Sequence, residues 1–118
     1  MTLFEKISAF ALSLPGAYMT EQWMGAHVFK ISDDKMFCVL RPGKPNMLIR
    51  LGSVESRSLL VEAGVADIHT HMKRGSWADI LTDRMEKTDV FNRLEQSYAL
   101  VRFGLTKARQ ASLPPYPQ

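Results

Sequence analysis

Apolar residues at Leu3, Phe4, Ile7, Phe10, Ala11 and Leu14 return at helical spacing, which lays a single apolar stripe along a helix. Thr2 and Glu5 stand at capping-box spacing, so the hydroxyl accepts an early helical N–H and the carboxylate reaches back to the cap. Pro15-Gly16 stops the helix, because proline brings no amide and glycine accepts left-handed torsions. The pattern predicts a helix over Leu3 to Leu14. Beyond Gln22 the period shortens. Ala26 to Ile31, Met36 to Leu40 and Met47 to Leu51 are short runs of branched and aromatic residues, separated by Ser32-Asp33-Asp34-Lys35 and by Arg41-Pro42-Gly43-Lys44-Pro45-Asn46. They read as an antiparallel meander of three strands. Alternation puts His27, Phe29 and Ile31 on one side and Val28 and Lys30 on the other, while Met47, Ile49 and Leu51 oppose Leu48 and Arg50. One sheet face is thus apolar and the other mixed, with Lys30 and Arg50 on it.

Ser53 can cap a second helix that runs through Glu62, with Val54, Leu59, Leu60 and Ala63 apolar and Gly64 as its C-terminal stop. Val65 to Met72 and Trp77 to Leu81 then read as a second hairpin around Lys73-Arg74-Gly75-Ser76, since Gly75 tolerates the positive φ of a tight turn. Thr88 or Asp89 caps a last helix to about Lys107. Phe91, Leu94, Tyr98, Val101 and Leu105 share one stripe of it, and Arg102, Lys107 and Arg109 complement its C-terminal dipole. The order α-β-β-β-α-β-β-α predicts a two-layer α+β domain over residues 1–110, an antiparallel sheet with helices on one face. Phe4, Ile7, Phe29, Phe37, Ile49, Leu59, Phe91, Leu94 and Tyr98 form the expected core. The proline-rich tail, residues 111–118, reads as a loose, flexible appendage.

Composition narrows the class. At 118 residues and 46% hydrophobic, the chain can build its own core without disulfides or a structural metal. Its single cysteine, Cys38, lies in an apolar run and reads as a buried, reduced thiol. No apolar stretch approaches the ~20 residues that span a bilayer, and the start carries no basic leader, so a cytoplasmic protein without a membrane partner is expected. A net charge of +3 permits attraction to polyanions without demanding it.

Ala11-Leu12-Ser13-Leu14-Pro15-Gly16 after an opening helix, Val28-Phe29-Lys30-Ile31, Lys35-Met36-Phe37, His71-Met72-Lys73 followed by Trp77, and Ser97-Tyr98-Ala99-Leu100-Val101 occur in an order that resembles the MmcQ/YjbR family. The likeness runs from about Leu3 to Lys107. It implies a fold of the secretion-chaperone class and a DNA-binding role, and brings no catalytic residues with it. Lys73-Arg74-Gly75-Ser76-Trp77 and the proline-rich loop Arg41 to Asn46 depart from the commoner pattern of the family.

Few residues suggest chemistry. His69-Thr70-His71 would point two imidazoles the same way from a strand, with Asp67 in parity, but a zinc site wants three or four ligands. Cys38 lacks a neighbouring base, and no phosphate loop, zinc-protease signature or nucleophile elbow is present. Asp79, Asp83 and Glu86 read as solvated. Neither an enzyme nor a cofactor is expected. Trp23 and Trp77 are either core or stacking residues, and Trp77 is placed to prop the second hairpin together with Gly75.

The cations remain. Lys73 and Arg74 at one expected hairpin tip, Arg41 and Lys44 at another, and Lys30 and Arg50 on the mixed face form a candidate phosphate-binding set, in the manner of wing-like elements on a duplex. Cations on turns and edges also keep a sheet from pairing with other chains. The sequence therefore supports a non-enzymatic nucleic-acid binder of low sequence specificity, with DNA as partner. The alternative is a chaperone-like module that meets a protein client or a second copy, as a homodimer, on its exposed sheet face.

Overall fold

The computed structural model describes residues 1–116. Helix α1 spans Leu3–Ser13, with both arms of the Thr2/Glu5 capping box formed and Leu14 at its C-cap. Strands β1 (Tyr18–Gln22), β2 (Ala26–Ile31), β3 (Lys35–Leu40) and β4 (Asn46–Arg50) follow. After helix α2 (Val54–Glu62) come β5 (Ala66–Asp67), β6 (Trp77–Leu81), helix α3 (Lys87–Phe103) and a short α4 (Lys107–Ala111). The strands form one six-stranded antiparallel sheet in the order β1-β2-β3-β4-β6-β5. The α+β class and the expected order hold, with β1 added ahead of the meander and α4 after the last long helix. Strand β1 has mixed composition and a largely exposed surface, so only its pairing with β2 makes it a strand.

Helices α1 and α3 cover one face. Ile7 and Ala11 of α1 and Val90, Leu94, Tyr98 and Val101 of α3 pack on Phe29, Ile31, Phe37, Cys38, Met47 and Ile49. A register shift between Phe29 and Lys30 lets the consecutive Phe37 and Cys38 both join this core. Phe37 meets Tyr98 edge-to-face, with ring centroids 5.3 Å apart. Ser97 ties the layers together, donating to the Phe37 carbonyl at 2.6 Å and accepting from the Arg50 N–H at 2.9 Å. These two main-chain groups would otherwise lie against a helix with no partner.

Several expectations are corrected. Leu59 is 67% exposed, and the buried side chain of α2 is Arg57. Phe4 and Phe91 are only half-buried, at the margin of the core. Helix α3 starts at Lys87 with Glu86 as N-cap, so Thr88 and Asp89 lie inside its first turn. It ends at Phe103 rather than Lys107, because the chain turns at Gly104 and Thr106 caps α4 anew. Arg102 stands in the last turn of α3, as expected. It is buried, donating to the Tyr98 hydroxyl at 2.9 Å and to the Pro114 carbonyl at 2.8 Å.

The tail is docked through Tyr116 rather than loose, whereas Pro117 and Gln118 lie outside the described residues. Tyr116 stacks edgewise on Tyr98 at 4.9 Å and donates to Glu95 Oε2 at 2.7 Å. Leu113 covers Gly16 so closely that an added Cβ would sit 2.7 Å from its Cδ2. Gly16 also has φ +81°, so the turn after α1 favours glycine there.

The second hairpin is largely absent. Only Ala66 and Asp67 pair with β6, and residues 68–76 form an irregular loop. Arg57 explains why the loop needs no strand partner. Its guanidinium donates to the carbonyls of Met72 at 3.4 Å, Lys73 at 3.0 Å and Trp77 at 3.1 Å, satisfying main-chain acceptors that a ladder would have used.

Candidate binding cleft on the open sheet face

Among the described residues no helix covers the other sheet face. The register aligns Thr20, Val28, Val39, Leu48 and Asp79 across it, strand by strand. Val28, Val39 and Leu48 are nonetheless buried, because with Ala26 they form a second apolar cluster sheltered by Met36, Met72 and Trp77. Met72 and Trp77 come from the loop and strand that Arg57 holds in place.

Between this loop and the β1–β2 turn the cover stops, leaving a cleft of about 460 Å³. Ala26, Val39 and Leu48 make its floor and Trp23, Met36 and Met72 its walls, while Arg41, His69 and His71 stand at its rim. Such a volume and an apolar lining with a few polar groups are what binding pockets commonly show. The turn that supplies Trp23 is strained. Trp23, Met24 and Gly25 have φ of +46°, +62° and +92°, and two of these residues have side chains that cost about 1–2 kcal/mol each in that region. Trp23 is 61% exposed and Met24 fully exposed, so the turn displays two large apolar side chains instead of burying them.

The six candidate cations do not converge. Lys30 is buried, and its Nζ lies 2.8 Å from Asp34 Oδ1. Arg41 donates to Asp79 Oδ2 at 2.8 Å and lines the cleft. Lys44, three residues on, faces a different groove, of about 540 Å³, between the start of α1 and loop 41–45. Lys73 and Arg74 are exposed, but on the broad loop rather than at a tight hairpin tip. Arg50 is exposed beside Trp77 in the register. Gly75 has φ +75°, the torsion that a glycine accepts there most readily. Trp77 is half-buried against the second cluster, and its main-chain carbonyl accepts from Arg57.

His69 and His71 lie on the loop rather than on a strand. Their rings are 5.6 Å apart, and His69 Nδ1 accepts the His71 N–H at 3.2 Å. Among the described residues no group of three or more His, Cys, Asp or Glu side chains is placed to hold a metal ion. Cys38 is fully buried on the helix side, and burial pushes its thiol pKa well above the ordinary range. The cleft was only partly visible in the sequence, where Val28 and Leu48 marked an apolar strip on the mixed face. Trp23-Met24-Gly25, an apolar tripeptide at the end of a polar segment, was the available sign of its second wall.

Fold and cleft define a small α+β domain with one sheet face sealed by helices and the other left open around an apolar seat. The YjbR family model matches residues 12–100, and the chain belongs to that family. It is similar in structure to Deinococcus radiodurans protein DR2400, whose family-model domain is DUF419, with a TM-score of 0.80 over 93% of this chain and 88% of that one. The two are 17% identical, so the likeness is one of fold. No curated protein matches the chain.

Proposed function

We propose that this protein is a non-catalytic interaction module that seats an apolar side chain of a partner protein in the sheet-face cleft. The observation that carries this reading is the apolar cleft itself, walled by a strained turn that holds Trp23 and Met24 in solvent. A nucleic-acid partner fits less well. Of the six cations in the phosphate-binding set, Lys30 is buried and paired with Asp34, Arg41 lines the cleft, and Lys44 faces a different groove, so they do not share one surface. Backbone binding needs several cations along one surface, and exposed Arg50, Lys73 and Arg74 supply the only start of one in that set. No helix among the described residues is long and apolar enough to cross a membrane, and the reduced Cys38 suits the cytoplasm, the compartment we assign.

Selection of displayed random peptides tests the reading. The wild type serves as bait, and Met72→Glu, which charges a half-buried wall of the cleft, serves for counter-selection. Peptides sharing one large apolar residue are expected to be enriched on the wild type alone. Equal enrichment on both baits would overturn the reading. So would tight, salt-sensitive duplex binding with no peptide enrichment, and light scattering that shows the cleft closed in a homodimer would make a second copy the occupant.

A further inference from the structure

Arg41, His69 and His71 are the polar residues that line the cleft. Arg41 is not left to find its own position, because Asp79 Oδ2 accepts from its Nη2 at 2.8 Å, and Asn46 Nδ2 donates to the same oxygen at 3.3 Å. The Asp79 side chain is 9% exposed and that of Arg41 36%, so the carboxylate holds the guanidinium from behind. The guanidinium's remaining N–H donors are left for the cleft. Across the rim, His69 Nδ1 is occupied as an acceptor, which leaves Nε2 as the protonated nitrogen of the neutral ring and a second donor.

An apolar floor excludes water from whatever lies on it, and a charge-assisted hydrogen bond at its border gains strength accordingly. A purely apolar ligand would leave the free donors of Arg41 beside it without a new partner. We infer that the cleft recognises an apolar residue together with a carboxylate next to it, with Arg41 as the anion ligand and Asp79 as its positioning residue. This rests on the cleft being the binding seat, and adds what the bound segment must carry. The carboxylate has two sources in a peptide, a free C-terminus or an acidic side chain after the apolar residue, and the chemistry at Arg41 is the same for both.

Matched probes separate the possibilities. N-acetylphenylalanine is compared with its amide, and N-acetyl-Phe-Asp-amide with N-acetyl-Phe-Asn-amide, by NMR titration of the full chain. In at least one pair the acid is expected to bind about tenfold more tightly, the return of one charge-assisted hydrogen bond. The pair that shows the preference identifies the source of the carboxylate. Arg41→Gln should abolish the preference, so that acid and amide bind alike. Because Arg41→Gln strands a buried carboxylate, Arg41→Gln/Asp79→Asn is measured as well, removing both charges together, and should behave alike. Equal binding of acid and amide at Trp23, Val39 and Leu48 would overturn the anion inference and leave the apolar seat standing. No shift at these residues with any probe would overturn both.

Discussion

Arg57 is the residue whose loss should reach furthest. It is 7% exposed, and its hydrogen bonds all go to main-chain carbonyls of the segment from Met72 to Trp77. Arg57→Met keeps much of the aliphatic length and removes every donor. Two of the three bonds have good length, and bonds from a charged donor contribute ~1.5–3 kcal/mol each. Methionine also escapes the desolvation cost of a buried guanidinium, whose Nε has no partner here. Lys73 and Arg74 are exposed already, so their backbone can turn to water. The net expectation is a loss of about 2–3 kcal/mol in urea unfolding, below the full value of the bonds. Hydrogen exchange should rise selectively across residues 68–75, whose remaining anchorage is the packing of Met72, while Ser76 stays bonded to the Leu51 main chain. Leu59→Ala, on the same helix but 67% exposed, should change stability by less than ~0.5 kcal/mol. If Arg57→Met matches that control within ~0.5 kcal/mol and loop exchange is unaltered, the clamp assigned to Arg57 is wrong.

Replacing Trp23-Met24 by Asn-Gly should raise stability by about 1–2 kcal/mol in thermal or urea unfolding while abolishing peptide capture, because the strain and the cleft wall go together; a loss of stability would show the turn to be a packing element. The Tyr116 hydroxyl pKa is pushed up to about 12, chiefly by burial and then by its hydrogen bond and proximity to Glu95. The folded state therefore holds that proton longer than the unfolded chain, so the resulting stabilisation is complete below the ordinary phenol pKa near ~10 and is lost as pH rises through about 12. Absorbance titration of the tyrosines should show a late ionisation that Tyr116→Phe removes, and an unchanged curve would contradict the docked tail. Cys38 should resist thiol reagents in native protein, and Cys38→Ala should cost ~1–2 kcal/mol without affecting peptide capture; rapid labelling at neutral pH would oppose its burial.

Helix α1, helix α2 and strands β2 to β4 were legible because their signals are local. A capping box, a serine cap, a glycine stop and alternating branched residues act between near neighbours, and the chain states them before it folds. The α+β class follows from their order. The rest depended on partners distant in sequence. Strand β1 is too polar to announce itself and exists by pairing with β2. The second hairpin opened into a loop because a cation on α2, which no local rule sends inward, satisfies its carbonyls. Arg102 and Tyr116 captured a proline-rich tail whose composition alone reads as free. The same holds for the site. Sequence shows which residues are cationic, but only three-dimensional pairing decided that Lys30 belongs to Asp34 and that Arg41, held by Asp79, stands at an apolar cleft. A charge takes its role from the groups that face it across the fold, and these are set when the layers close.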